Sequence, residues 1–88
     1  MIKKRIEIIN RSGLHDRLGT SFIRKASQYK SQIFISKGRS KMSAKSILGF
    51  FSLGISEGDV IEIEVNGEDE DIAIKELIEY IIGIDENK

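Results

Sequence analysis

The chain has 88 residues, a length typical of one domain, so we expect a single domain over residues 1–88 with one modest hydrophobic core. Its 14 basic and 14 acidic side chains cancel, which argues against a nucleic-acid partner and favours protein partners or small anions. Cysteine is absent, which excludes disulfides and thiolate metal sites, and we expect no metal ion or cofactor. No apolar run approaches the ~20 residues that span a bilayer, so we expect a cytoplasmic protein that does not insert into membranes.

The first third of the sequence predicts a strand followed by a helix. Residues 3–9 alternate imperfectly in polarity, with Ile6 and Ile8 on one face, as in a half-buried strand. The run Asn10-Arg11-Ser12-Gly13 is rich in turn-forming residues. From residue 16 to about residue 29, apolar side chains recur at helical spacing and predict the first helix. These apolar positions are Leu18, Phe22, Ala26 and Tyr29.

The middle of the chain predicts a hairpin and a short helix. Ile33-Phe34-Ile35 is a short apolar run, and Lys37-Gly38-Arg39 indicates a tight turn into a second antiparallel strand. Ser46 then opens a segment that stops at Gly54, which is long enough for about two helical turns. Because serine is a favoured N-cap residue, Ser46 is first interpreted as the cap of this helix.

The last third predicts a strand and a longer helix. Residues 60–65 show the cleanest alternation in the sequence. We interpret the acidic run Glu68 to Asp71 as the first turn of a third helix, where negative charge interacts favourably with the helix dipole. The apolar positions of this helix are Ile72, Ala73, Leu77, Ile78 and Ile81. The predicted order is βαββαβα, an α+β fold with a mainly antiparallel four-stranded sheet and three helices on one face.

His15 is the only histidine, and it lies between a glycine-containing turn and the predicted start of the first helix. The unpaired N–H groups and partial positive charge of a helix N-terminus stabilise a phosphoryl group without a metal ion. Imidazole, with an ordinary pKa of about 6.5, is largely neutral and nucleophilic near neutral pH, and Arg17 is placed to donate to phosphoryl oxygens. From these residues alone, the alternative is an ordinary loop histidine beside a solvated arginine.

Two separated motifs stand out, Gly13-Leu14-His15-x-Arg17 and the block from Lys45 to Gly54. The first resembles the active-site signature, and the second the regulatory serine motif, of the HPr family. This family comprises the histidine-containing phosphocarriers of the bacterial phosphoenolpyruvate:sugar phosphotransferase system. Motif spacing, element order and chain length match as well, so the resemblance covers essentially the whole chain and implies an HPr-like open-faced β-sandwich.

The resemblance implies a role for each motif residue. His15 would accept a phosphoryl group from phospho-enzyme I and pass it to a sugar-specific IIA domain, with Arg17 assisting, as a carrier in sugar transport rather than an independent enzyme. Ser46 would be phosphorylated by an ATP-dependent HPr kinase/phosphorylase, and the phosphoserine form would act with the catabolite control protein in carbon catabolite regulation. The implied partner-binding residues are Asp16, Thr20, Arg24, Ile47, Leu48 and Phe51.

Two residues depart from the family signature His-(Ala/Ser/Thr)-Arg-Pro, namely Asp16 and Leu18. Leucine is a good helix former, so Leu18 should leave the helix in place. The carboxylate of Asp16 should raise the pKa of His15 and repel a phosphoryl group, which predicts weakened transfer. The alternative is that Asp16 rotates into solvent or caps the helix.

The short helix after Ser46 carries more apolar residues than one face can bury, so some must be exposed, and Phe50 and Leu53 are the predicted core residues. An exposed apolar patch also suits a regulatory protein-binding module with an idle His15, which is the second functional hypothesis.

A third hypothesis is an RNA-binding sheet beside the basic hairpin. It is weaker, because Phe34 is its single candidate stacking aromatic and RRM-type sheets use several.

Overall fold

The fold is described by a computed structural model that covers residues 1–10, 13–14 and 16–83, without the side chain of Asp16. Seven elements follow one another in the predicted order βαββαβα. The strands are β1 (Ile2–Glu7), β2 (Gln32–Lys37), β3 (Ser40–Ser43) and β4 (Val60–Asn66). The helices are α1 (Asp16–Ala26), α2 (Ile47–Ser52) and α3 (Glu70–Gly83). Within the described ranges, no helix has the length and apolar character that crossing a membrane requires.

The four strands form one antiparallel sheet in the order β1-β4-β2-β3. The central strand β4 pairs with β1, where Ile61 faces Ile6, and with β2, where Ile63 faces Ile35. The turn between β2 and β3 contains Gly38 with φ of +61°, a left-handed conformation that glycine adopts without a steric penalty. The predicted antiparallel sheet and its hairpin are therefore confirmed.

The hydrophobic core lies between the three helices and one face of the sheet. Each helix contributes a large buried side chain, namely Phe22 from α1, Phe50 from α2 and Leu77 from α3. Burying a side chain of this size stabilises the fold by roughly 1.5–3 kcal/mol. The prediction that Phe50 and Leu53 belong to the core is confirmed. The sheet residues in this core are Ile33, Ile35, Ile61, Ile63 and Val65.

Two element ends differ from the sequence prediction. β1 ends at Glu7, but Ile8 still exchanges hydrogen bonds with the turn before β4, since its N–H donates to Asp59 and its carbonyl accepts from Gly58. α1 ends at Ala26 rather than near residue 29, because the last N–H groups bond three residues back instead of four and tighten the turn. The apolar side chain of Tyr29 still packs against the core.

The start of α3 also differs, since the helix begins at Glu70 and leaves Asp69 outside it. The carboxylate of Asp69 accepts hydrogen bonds from the Ser31 hydroxyl and from the backbone N–H groups of Lys30 (2.8 Å) and Ser31 (2.9 Å). These bonds, led by that of the Ser31 hydroxyl, hold the pKa of Asp69 below its ordinary value. Ile74 is buried on α3, whereas Ile72, one of the apolar positions at helical spacing, is 52% exposed.

Candidate functional site

Asn10 anchors the chain shortly after the end of β1. Asn10 is only 1% exposed, its carbonyl accepts a hydrogen bond from the N–H of Gly13 at 2.9 Å, and its Nδ2 donates to the carbonyl of Ile81 at 2.8 Å. Gly13 has φ of +62°, a conformation that strains most other residues. The turn thus requires glycine at position 13, and a buried amide ties it to the last turn of α3.

Leu14 fixes the chain immediately before His15. Its side chain is 1% exposed and belongs to the core, and its N–H donates to the carbonyl of Ile55 at 3.0 Å. Ile55 is itself buried and directly follows the second motif, so this hydrogen bond joins the first motif to the end of the second. His15, the predicted phosphoryl acceptor, lies outside the described residues.

The helix α1 begins at Asp16, the residue after His15, and the side chain of Asp16 lies outside the described part of the chain. Arg17 is exposed in the first turn, and Thr20 and Arg24 are exposed one and two turns later. Because these positions recur at helical spacing, they share one face of α1. The first N–H groups of a helix have no partner within the helix, so they and the Arg17 guanidinium favour an anion at this end.

Ser46 caps α2, as its place in the sequence predicts. Its backbone is extended, with φ of −103° and ψ of 117°, and its Oγ accepts a hydrogen bond from the N–H of Gly49 at 3.3 Å. Ser46 is also exposed, so its hydroxyl is accessible to a modifying enzyme. A phosphate there would add close to two negative charges to the surface beside α2.

The helix α2 divides its apolar residues between the core and the surface. Phe50 is buried and stacks on Phe22 of α1, with ring centroids 5.5 Å apart, while Phe51 is partly buried with its ring edge-on to Phe50. Ile47 and Leu48 are 60% and 86% exposed. The prediction that part of this helix must face outward is confirmed, and we call Ile47 and Leu48 the apolar patch.

Three of the basic residues near the hairpin make intramolecular contacts. The ammonium group of Lys37 donates to the carbonyl of Gly54 at 2.7 Å, and that of Lys45 donates to the carbonyl of Tyr29 at 2.7 Å. Lys41 pairs with a glutamate of β4 at 3.0 Å. These lysines stabilise connections within the fold, which weakens the hypothesis of a basic RNA-binding face.

Sequence reasoning missed three residues that hold the site in place. Leu14 is an apolar residue within an otherwise polar turn, a signal that indicates burial. Ile55 stands alone between glycine and serine and carries a weaker signal of the same kind. Asn10 belongs to the predicted turn, but no local signal predicts its contact with α3, because its hydrogen-bond partner lies 71 residues away in the sequence.

Comparison with known proteins agrees with this geometry. Residues 2–82 match the family model described as the PTS HPr component phosphorylation site. The phosphocarrier protein HPr of Neisseria meningitidis serogroup B is 43% identical over 83 residues, which are 94% of this chain and 93% of that protein. The HPr-like protein Crh of Halalkalibacterium halodurans is 38% identical over 81 residues, which are 92% of this chain and 96% of that protein.

A solved structure shares the fold over its full length. The crystal structure of HPr-C-His from Thermoanaerobacter tengcongensis matches with a TM-score of 0.94 at 41% identity, and the match covers 100% of this chain and 99% of that one. Sequence and fold therefore agree along the whole molecule, and the chain belongs to the HPr family of phosphocarrier proteins of the sugar phosphotransferase system.

Proposed function

We propose that the chain carries a phosphoryl group on His15, which it accepts from phospho-enzyme I and passes to a IIA domain. The observation that carries this proposal is the buried anchor at Leu14 next to the first turn of α1, with the exposed Arg17 in that turn. A histidine between these two elements follows a fixed backbone and precedes a helix N-terminus. That arrangement suits reversible phosphoryl transfer, which depends mainly on positioning and on stabilising negative charge.

The transfer itself needs one nucleophile and one electrostatic partner from this chain. The lone pair of the neutral His15 imidazole attacks phosphorus, a nitrogen–phosphorus bond forms, and the bond between phosphorus and the donor atom of enzyme I breaks. The same steps in reverse deliver the group to the IIA domain. Arg17 donates hydrogen bonds to the phosphoryl oxygens, and the first N–H groups of α1 add partial positive charge.

Asp16 is expected to weaken this transfer without abolishing it. Two unit charges about 5 Å apart interact by roughly 3 kcal/mol at an effective dielectric near 20, so a carboxylate next to the imidazole favours the protonated, non-nucleophilic form. Asp16→Ala should therefore lower the pKa of His15 and raise the rate of phosphorylation. An unchanged rate and an unchanged pKa in that variant would contradict the inhibitory role of Asp16.

We further propose that Ser46 is a regulatory phosphorylation site for an ATP-dependent HPr kinase/phosphorylase. The exposed hydroxyl of Ser46 and the adjacent apolar patch support this proposal. Adding close to two negative charges beside Ile47 and Leu48 would change which partners dock there while leaving the core intact. In this form the chain would act with the catabolite control protein.

A second candidate function is a regulatory protein-binding module with little or no transfer through His15. The match to the HPr-like protein Crh and the exposure of the apolar patch favour it. In this case the surface formed by Thr20, Arg24 and the apolar patch would bind partners, and Ser46 would control the binding. The two functions differ in whether His15 is needed.

A reconstituted relay separates the two functions. The chain, enzyme I, phosphoenolpyruvate and a purified IIA domain are combined, and phosphorylated IIA is measured over time for the wild type, His15→Ala and the control Lys75→Ala. A carrier passes the group with wild type and Lys75→Ala but not with His15→Ala. If the wild type gives no more phosphorylated IIA than His15→Ala does, the carrier function is wrong and the binding module is favoured.

The Ser46 proposal has its own test. The chain is incubated with HPr kinase/phosphorylase and ATP, and its intact mass is measured for the wild type and Ser46→Ala. One acid-stable phosphoryl group on the wild type and none on Ser46→Ala is the expected result. No added mass on the wild type, or equal labelling of both, would contradict the proposal.

A further inference from the structure

Gly19 lies inside α1, where glycine usually destabilises a helix by about 0.5–1 kcal/mol relative to alanine. The surroundings explain its presence. A Cβ atom at position 19 would lie 2.5 and 2.8 Å from two ring atoms of Phe51 and 2.8 Å from the carbonyl oxygen of Leu14. Real Cβ atoms do not approach other heavy atoms this closely, so no larger residue fits at position 19 without displacing one of these neighbours.

The two groups that meet at Gly19 belong to two different parts of the site. Phe51 is on α2, five residues after the cap residue Ser46. The Leu14 carbonyl carbon is bonded directly to the nitrogen of His15. The missing side chain of Gly19 therefore lets the ring of Phe51 and the Leu14 peptide pack against α1 at the same point.

The two neighbours of Gly19, the Phe51 ring and Leu14, are each held by further contacts. Phe51 contacts Phe50 edge-on with centroids 5.6 Å apart, and Phe50 stacks on Phe22 of α1. On the other side, Leu14 is buried and its N–H is bonded to the carbonyl of Ile55. A Cβ atom at position 19 would press on the Phe51 ring and on the Leu14 carbonyl at once, so the position of one is coupled to that of the other through this point.

We propose that Gly19 and Phe51 form a size-matched pair that positions the peptide between Leu14 and His15, so that α2 and the loop that leads to His15 (Gly13 and Leu14) keep one relative placement. This inference rests on the proposed carrier function and adds two positioning residues to it. Phe51 then has a role beyond partner docking. Its partly buried ring sets the loop geometry, whereas the apolar patch of Ile47 and Leu48 is free to contact partners.

A double-mutant cycle tests the pair with Gly19→Ala, Phe51→Leu and the double variant. The kcat and KM for phosphorylation by enzyme I are measured, and folding is checked by urea unfolding. Gly19→Ala should lower kcat by about tenfold or more, because displacing the reacting group by about 1 Å can cost on the order of 100-fold. In the Phe51→Leu background the smaller side chain leaves room for the new methyl group, so the same substitution should lower kcat by less than about threefold.

Nuclear magnetic resonance of the free chain gives a readout that does not depend on enzyme I. Since His15 is the only histidine, its imidazole signals are assigned without ambiguity. Gly19→Ala should shift these signals and the backbone signals of Leu14. In the double variant, which adds Phe51→Leu, the signals should return toward their wild-type positions. If Gly19→Ala does not fold, Phe51→Ala should shift the imidazole signals, whereas Leu48→Ala, also on α2 but 86% exposed, should not.

The inference is overturned if Gly19→Ala lowers kcat by the same factor in both backgrounds, or if it changes neither kcat nor the imidazole signals. Equal imidazole shifts in Phe51→Ala and Leu48→Ala would overturn it as well. Failure of the carrier function gives a different result. The wild type itself would then accept no phosphoryl group, while the imidazole signals of the variants would still show whether Gly19 and Phe51 act as a pair.

Discussion

Leu14 lies just before α1 and Ser46 just before α2, each belongs to one of the two motifs, and the two residues are held in place by different means. Before α1, Leu14 is buried and bonded to Ile55, and the turn that leads to it is tied to α3 by Asn10. Before α2, Ser46 is exposed and its hydroxyl accepts a local hydrogen bond, from the N–H of Gly49 in the helix that it caps. Leu14 is built into the core, whereas Ser46 lies at the surface.

This difference matches the demands of the two proposed reactions. A residue that exchanges a phosphoryl group with two protein partners needs a fixed position relative to its supporting charges. A residue that is modified by a kinase needs access, and its modification must not disturb the core. We therefore expect substitutions before α1 to affect stability and transfer, and substitutions around Ser46 to affect mainly regulation and docking.

The largest expected effect is on stability, from Leu14→Ala. Removing this buried side chain should lower the free energy of unfolding by about 2–5 kcal/mol, because it leaves a cavity in the core. Leu48→Ala is the matched control on α2, since it makes the same chemical change at a residue that is 86% exposed, and it should stay within about 0.5 kcal/mol of the wild type. Urea unfolding measures both, and equal losses would contradict the contrast between a buried Leu14 and an exposed Leu48.

The second effect is on transfer, from Arg17→Ala. Hydrogen bonds to a charged group are worth about 1.5–3 kcal/mol, so losing the guanidinium should lower the rate of His15 phosphorylation by roughly 10- to 100-fold. Arg24→Ala removes the same charge two turns further along α1 and should lower kcat much less. Rapid-quench kinetics with phospho-enzyme I gives both values. Equal losses would mean that overall charge, rather than a donor at the first turn, supports transfer.

A smaller effect on stability is expected from Ser46→Ala. Losing an N-cap typically costs about 1 kcal/mol, because the N–H of Gly49 loses its acceptor. Ser46→Asp keeps a side chain that can cap the helix and should recover most of this stability. Thermal and urea unfolding of the two variants test the cap, and an alanine variant as stable as the wild type would contradict it.

The last effect is a pH dependence at the start of α3, a third helix start that carries neither motif. Hydrogen bonds from Ser31 and Lys30 lower the pKa of Asp69 below 3.8. The pKa of Glu70 is lowered below 4.5, mainly by a hydrogen bond from the N–H of Gly67 and next by the hydrogen bond from the N-terminal ammonium group. Carboxyl groups with lowered pKa values stabilise the fold above their ordinary pKa and lose this contribution as the pH falls below it. Because both groups are accessible to solvent, the effect should be modest.

Urea unfolding between pH 6 and pH 3 measures this dependence. The wild type should lose stability as the pH falls below about 4.5, toward the lowered pKa values. Asp69→Asn should flatten the loss, whereas Asp71→Asn, exposed in the first turn of the same helix, should leave it nearly unchanged. A flat profile for the wild type would contradict the role of these hydrogen bonds.

Local patterns were sufficient to predict most of the fold. The alternation in β4, the turn at Gly38 and the cap at Ser46 are signals within a few residues, and each corresponds to the element that it predicts. The division of α2 between buried Phe50 and exposed Leu48 also follows, since one face of a short helix cannot bury every apolar residue.

The remaining features depend on contacts between distant parts of the chain. The bond from Leu14 to Ile55, the amide contact of Asn10 with α3 and the fit of Phe51 over Gly19 all join segments far apart in the sequence. No local period or turn signal reports such contacts. For the same reason, the motif around His15 identified the family from the sequence but did not reveal how its loop is held.

The most direct test of the central claim is to locate the phosphoryl group after incubation of the chain with enzyme I and phosphoenolpyruvate. Intact mass before and after mild acid, followed by peptide mapping, shows whether the group is acid-labile and which residue carries it. We predict one acid-labile phosphoryl group on His15 and none on Ser46. An unmodified His15, under conditions that fully label the HPr of Neisseria meningitidis, would contradict the assignment of this chain as a phosphocarrier.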